Sequence, residues 1–77
     1  MPQIKLYTTP TCVYCKKVKE FLLKHSFSYQ ELNVAENDVA RDEMIRKSGQ
    51  FGVPVVDIDG QILLGYDQRG LTQALKL

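Results

Sequence analysis

Two cysteines three positions apart are the residues of this sequence best suited to chemistry. Cys12 and Cys15 enclose Val13 and Tyr14. A thiolate can attack a disulfide sulfur, and a second thiol can then attack the mixed disulfide and release the substrate. Because residues three apart on a helix face the same side, this spacing supplies both roles.

The same pair could instead bind a metal, since CxxC is also half of a four-ligand zinc site. The chain has two cysteines and one histidine, His25, which lies more than two helical turns beyond Cys15. A zinc site within one chain therefore lacks ligands, and we expect no resident metal or cofactor. An iron–sulfur cluster shared by the cysteines of two chains is the alternative function.

Length, composition and charge narrow the class of protein. The 77 residues are 44% hydrophobic and 25% charged, which predicts one globular domain over residues 1–77. The formal net charge is +1, and no basic stripe with interleaved aromatics indicates nucleic-acid binding. Neither a leader sequence nor a membrane span is predicted. We therefore expect a cytoplasmic monomer without membrane or nucleic-acid partners. Because the cytoplasm is reducing, a structural disulfide would not persist there, and we expect the cysteines to be catalytic.

The cysteine pair is predicted to lie between a strand and a helix. β-Prone residues over Gln3–Thr8 predict the strand, and apolar residues at helical spacing predict a helix from Cys12 to about His25, with Thr11 as its N-cap. The Cys12 sulfur would then lie near the free amides of a helix N-terminus, which favour the thiolate. Since Cys15 lies one turn inside, we expect Cys12 to be the nucleophile and Cys15 the resolving thiol.

Five further elements follow along the chain. They are a strand over 28–34, a helix over 36–47, strands over 54–58 and 61–64, and a last helix capped by Asp67. Asp59-Gly60 is the dipeptide that a type I′ hairpin turn favours. The start of the second helix stays open among Asn33, Asn37 and Asp38, whereas Gly70 weakens the last helix by up to ~1 kcal/mol. The order is β-α-β-α-β-β-α, an α/β fold.

Three segments of the chain together resemble the glutaredoxins and their small bacterial relatives. They are Tyr7–Cys15, Gly52–Val56 and Gly65–Asp67. The resemblance covers nearly the whole chain and implies a thioredoxin-like fold, with a four-stranded mixed sheet flanked by helices. It also implies a thiol–disulfide oxidoreductase that reduces protein disulfides or glutathione mixed disulfides.

The resemblance further implies a substrate site for glutathione or a peptide. Its residues are Tyr14, Val53, Pro54, Gly65, Tyr66 and Asp67. The Val53–Pro54 bond is expected to be cis, although X–Pro bonds in folded proteins are mostly trans, with the Val53 backbone presented to the substrate. The loop from Gly65 to Asp67 is expected to receive the γ-glutamyl end of glutathione.

Some positions depart from the pattern of the glutaredoxins that use glutathione. Thr9 stands where those proteins have a lysine, and Gln50 and Phe51 stand where they have an arginine pair. Gly52 replaces a threonine, and Val13 replaces a proline. The cations that would hold the glycine carboxylate of glutathione are thus missing, and Val13 resembles the relatives that thioredoxin reductase reduces. We therefore expect thioredoxin reductase to be the better electron donor, with glutathione as the other candidate.

Overall fold

The computed structural model describes residues 2–77 and has the predicted order of elements. These are β1 (Ile4–Thr8), α1 (Val13–Lys24), β2 (Gln30–Asn33), α2 (Asp38–Ser48), β3 (Val55–Ile58), β4 (Gln61–Leu64) and α3 (Gln68–Ala74). No helix in this part of the chain is long and apolar enough to cross a bilayer. The predicted α/β fold is confirmed.

The four strands form one mixed sheet in the order β2-β1-β3-β4. β1 pairs parallel with β2 and antiparallel with β3, and β4 returns antiparallel along β3. In this register Tyr7 and Leu64 both pair with Val55, the first residue of β3. The segments that follow β1 and β4 and the segment that precedes β3 therefore emerge at the same end of the sheet.

Helices cover both faces of the sheet. Because successive strand residues point to opposite sides, each strand contributes side chains to the core on either face. Leu6 packs with residues of α1 and α3, including Leu22 and Leu71, in one core. Its neighbour Tyr7 packs on the other face with Met44 of α2. All five of these side chains are fully buried, so both faces of β1 help to hold the loop that follows it.

Local signals in the sequence account for several of the element boundaries. Asn37 is the N-cap of α2, where its side chain accepts a hydrogen bond from the Ala40 amide, and Gly49 ends that helix in the left-handed conformation. Asp59 and Gly60 both have positive φ angles, of 51° and 92°, as the predicted type I′ turn requires. The hairpin prediction is confirmed.

Candidate active site

The predicted site residues come together at one end of the sheet. Cys12 follows β1, Pro54 precedes β3, and Gly65 follows β4. The Gly65 amide donates a hydrogen bond to the Pro54 carbonyl oxygen over 2.9 Å, which ties two of these segments together. The Val53–Pro54 bond is cis, as the resemblance implied.

Cys12 and Cys15 are joined by a disulfide at the start of α1. Cys12 is the N-cap residue, and its Sγ accepts a hydrogen bond from the Cys15 amide over 3.1 Å. The prediction of Thr11 as the cap is wrong, because Cys12 has the extended backbone of a cap, φ −85° and ψ 112°, and its own sulfur takes up the free amide. The catalytic candidate is thus part of the helix terminus.

The two cysteines differ in their access to solvent. Cys15 is only 1% exposed, because it lies on the inner side of the first helical turn. Cys12 is half-buried, and Tyr14, between the two, is 60% exposed. An incoming disulfide can therefore approach the Cys12 sulfur more easily than the Cys15 sulfur.

Positive charge lies on α1 just beyond the cysteines. Lys16 and Lys17 are both exposed, and the Lys17 Nζ lies 6.0 Å from the centroid of the Tyr14 ring. A cation at this distance from an aromatic face is attracted to it weakly when both groups are in water. These lysines add positive potential near the disulfide, although salt screens exposed charges of this kind.

The loop from Gly65 to Asp67 turns the chain from β4 into α3. Gly65 has a positive φ of 70°, and Asp67 is the N-cap of α3, where its Oδ1 accepts a hydrogen bond from the Gly70 amide over 2.9 Å. The predicted cap is confirmed. A role of Gly65, Tyr66 and Asp67 in binding glutathione stays a prediction.

The segment between α2 and Pro54 carries no cation. The backbone amide of Gln50 donates a hydrogen bond to Ser48 Oγ. The side-chain amide of Gln50 lies 3.4 Å from the Gly52 carbonyl oxygen. Phe51 extends outward and is 79% exposed. The segment thus offers an apolar ring to an approaching molecule, at the positions where the glutaredoxins that use glutathione have an arginine pair.

Sequence reasoning missed a polar cluster at the end of β1. The buried Thr8 hydroxyl donates to Glu31 Oε2 over 2.9 Å, and the Lys19 Nζ lies 2.5 Å from the same oxygen. The bond from Lys19, opposed by partial burial, lowers the pKa of Glu31 below its ordinary value. The cluster joins β1, β2 and α1 just before the redox loop, but it depends on tertiary contacts for which the sequence carries no local signal.

Comparison with known proteins identifies the family. The sequence model of the family described as Glutaredoxin matches residues 4–63. The chain belongs to the glutaredoxin family. A glutaredoxin-like 8.6 kDa protein in the rubredoxin operon of Clostridium pasteurianum is 41% identical over 73 residues, which cover 95% of this chain and 97% of that protein.

Two further comparisons agree with this assignment. Glutaredoxin 3 of Escherichia coli K12 is 40% identical over 67 residues, which cover 87% of this chain and 81% of that protein. A crystal structure of the thioredoxin-like protein BC3987, in mutant form, superposes with a TM-score of 0.91 at 33% identity, covering 99% of this chain and 97% of that one. Membership of the glutaredoxin family and the bonded cysteine pair support thiol–disulfide oxidoreductase chemistry.

The alternative of a metal carrier concerns the same two sulfurs. Within residues 2–77, no three or more histidine, cysteine, aspartate or glutamate side chains come together as a metal site. A cluster shared between two chains would use Cys12 and Cys15 as thiolates and stays a prediction. Visible absorbance and metal analysis of the purified protein would detect it.

Proposed function

We propose that this protein reduces protein disulfides, or mixed disulfides with glutathione, with Cys12 as the attacking thiolate and Cys15 as the resolving thiol. One observation carries the assignment of roles: Cys12 is half-buried at the helix N-terminus, whereas Cys15 is 1% exposed. Attack on a large substrate needs access. Resolution is intramolecular and needs only that Cys15 reach Cys12, which the disulfide between them supports.

The reaction moves two electrons from the dithiol to the substrate. The Cys12 thiolate forms a bond to one sulfur of the substrate disulfide, and the other substrate sulfur departs as a thiolate and takes a proton. Cys15 then loses its proton and attacks Cys12 Sγ, which breaks the mixed disulfide and releases the second substrate thiol. The product is the Cys12–Cys15 disulfide found here, and an electron donor must return two electrons and two protons to it.

Single serine variants test these roles. Cys12→Ser should abolish reduction of disulfides, because the attacking sulfur is lost. Cys15→Ser should still attack and should accumulate a mixed disulfide on Cys12, because nothing resolves it. Mass spectrometry after incubation with a small disulfide measures both. An adduct on Cys12→Ser and none on Cys15→Ser would mean that the roles are reversed.

For the electron donor we propose thioredoxin reductase with NADPH rather than glutathione. Glutathione carries two carboxylates, and a groove that binds it well offers charge or donors at both ends. The loop at Gly65–Asp67 offers one such end. The residues expected at the other end of glutathione, Thr9, Gln50 and Phe51, are uncharged. The side-chain amide of Gln50 is already engaged by the Gly52 carbonyl oxygen.

Steady-state assays with both donors on one disulfide substrate test this proposal. We expect faster turnover with thioredoxin reductase, and we expect Gln50→Arg to raise kcat/KM for glutathione several-fold, up to about tenfold for one charge-assisted hydrogen bond. Gln50→Met is the matched control, since it has similar length and no charge. A clear preference of the unmodified protein for glutathione would show that the missing cations do not matter.

A further inference from the structure

Three large apolar or aromatic side chains are exposed on the two segments that carry the cysteines and Pro54. Val13 and Tyr14, between the cysteines, are 64% and 60% exposed, and Phe51, in the segment before Pro54, is 79% exposed. Both segments emerge at the same end of the sheet. Isolated exposed apolar residues are common, but these three lie on the segments that bring the cysteines and Pro54 to this end of the sheet.

In the segment between Phe51 and β3, the backbone of Val53 is available to an extended partner, whereas the carbonyls of Gly52 and Pro54 are already hydrogen-bonded. Within residues 2–77, neither the amide nor the carbonyl of Val53 makes a hydrogen bond. An extended peptide can satisfy such groups by adding a strand, and pockets or apolar surfaces beside that strand then select its side chains. Phe51 lies two residues before Val53, and its exposed ring is available to a side chain of such a strand.

We propose that Phe51 is a specificity-determining residue that packs against an apolar side chain of an extended partner segment, next to the partner's reactive cystine. This inference rests on the proposed disulfide reduction. It adds that the preferred substrate is a protein segment with an apolar neighbour of its cysteine, held by backbone pairing at Val53 and by contact with Phe51.

The chemistry of the surface favours this occupant over a small charged disulfide. Phe51 offers no hydrogen bond and no charge, so it gains free energy from a partner only by covering apolar surface. Glutathione, made of glutamate, cysteine and glycine, has no apolar side chain to cover it. A peptide with leucine or another large apolar residue beside its cysteine does.

Two synthetic disulfide peptides that differ only at the residue beside cysteine, leucine in one and serine in the other, test the proposal. The unmodified protein should reduce the leucine peptide with the higher kcat/KM. Phe51→Ser should lower kcat/KM for the leucine peptide by about tenfold, the effect of losing part of the burial of one large apolar side chain. Phe51→Leu should retain most of the preference, because an apolar contact remains.

The matched control is Val39→Ser, because Val39 is similarly exposed, at 74%, but lies on α2. It should leave both peptides unaffected. Equal rates for the two peptides, or an equal loss on both in Phe51→Ser, would overturn the role of Phe51. Reduction of hydroxyethyl disulfide, a small disulfide that does not need Phe51, tests the proposed function separately. If the unmodified protein reduces it but does not prefer the leucine peptide, only the role of Phe51 is wrong. If the unmodified protein does not reduce it, the proposed disulfide reduction is wrong as well.

Discussion

The Cys12 sulfur has a structural role at the helix terminus, and in the proposed reaction it has a chemical role there as well. In the disulfide it accepts the Cys15 amide over 3.1 Å as the N-cap of α1. When the pair is reduced, a thiolate in the same place would accept that amide more strongly, because hydrogen bonds to charged acceptors are about twice as strong as neutral ones. If Cys12 is the nucleophile that we propose, the interaction that stabilises the helix also stabilises the nucleophile.

The structure explains why position 70 is a glycine, which the sequence alone does not. Its position in α3 weakens the helix by propensity, yet it is buried beside Asp67 and Leu63. A Cβ at Gly70 would collide with the Asp67 carboxylate and lie 3.1 Å from Leu63 Cδ2. Glycine at this position leaves room for the carboxylate that caps the helix.

We predict that Gly70→Ala destabilises the protein. Propensity alone would stabilise the helix by up to about 1 kcal/mol. The collision displaces the Asp67 cap, whose loss costs about 0.5–2 kcal/mol, and it also crowds Leu63. The free energy of unfolding should therefore fall by about 1 kcal/mol, as measured by urea denaturation of the disulfide form.

A double-mutant cycle identifies the cause. In an Asp67→Ala background the carboxylate is absent, so adding Gly70→Ala should cost less than it does in the unmodified chain, and the two changes should not be additive. Full additivity would mean that Leu63 or another contact, rather than the Asp67 cap, requires glycine. Stabilisation by Gly70→Ala alone would contradict the prediction outright.

Among the elements, those with local signals could be predicted from the sequence. Asp59-Gly60 indicated the hairpin, and β4 has the predicted bounds of 61–64. Gly49 indicated the end of α2, which extends one residue past Lys47 to Ser48. In each case a residue adopts a backbone conformation that few other residue types adopt.

Other features depend on contacts between elements and could not be predicted locally. β2 was expected over 28–34 but spans only Gln30–Asn33, because its ladder with β1 runs from Lys5 to Thr8. The cis bond at Pro54 contradicts the ordinary preference of X–Pro and was indicated only by the family resemblance. The sequence likewise could not choose among three caps for α2, of which the structure has Asn37.

On the scale of the whole molecule, a charged cluster holds α2 against the sheet. The Lys47 Nζ lies 2.6 Å from Asp57 Oδ2, 3.1 Å from the Tyr7 hydroxyl and 3.1 Å from Glu43 Oε1. The Tyr7 hydroxyl also donates to Glu43, and the Lys5 Nζ lies 3.5 Å from the same carboxylate. Helix α2 is thereby joined to β1 and β3 by groups that are distant in sequence.

The cluster shifts the ionisation of its members in opposite directions. The hydrogen bonds from Tyr7 and then Lys47 lower the pKa of Glu43 from 4.5 to about 2. The bond to Asp57 is the largest cause that raises the pKa of Lys47. For Tyr7, burial and the Glu43 bond raise the pKa of the hydroxyl. Glu43 and Lys47 are therefore both held in their charged forms across the neutral range.

These shifts link stability to pH. A carboxyl with a lower pKa in the folded state stabilises the fold above its unfolded pKa, and this contribution is lost as pH falls through the folded pKa. For Glu43 the loss runs from about pH 4.5 down to about pH 2. Lys47 behaves in the opposite sense. Its contribution to the stability of the fold is complete below its unfolded pKa of 10.5 and is lost as pH rises through its raised folded pKa.

We predict that Glu43→Gln removes part of the stability at neutral pH, together with the share of the acid dependence of stability that Glu43 contributes. At pH 7 the variant should be about 1 kcal/mol less stable, since a neutral amide replaces a charged acceptor in a partly buried cluster. At pH 2.5 the difference from the unmodified protein should fall to less than half of that value, because the Glu43 carboxyl is then protonated in the unfolded state and most of the range between its two pKa values has been crossed.

Urea denaturation at the two pH values, with the Cys12–Cys15 disulfide intact in every sample, measures this difference. Glu36→Gln is the matched control, because Glu36 is exposed and outside the cluster; it should change stability little at either pH. Glu31, whose pKa is also lowered, will contribute an acid dependence of its own in both proteins and so cancels in the comparison. If Glu43→Gln cost the same at pH 2.5 as at pH 7, its effect would come from packing, and the charge of Glu43 would not stabilise the attachment of α2 to the sheet.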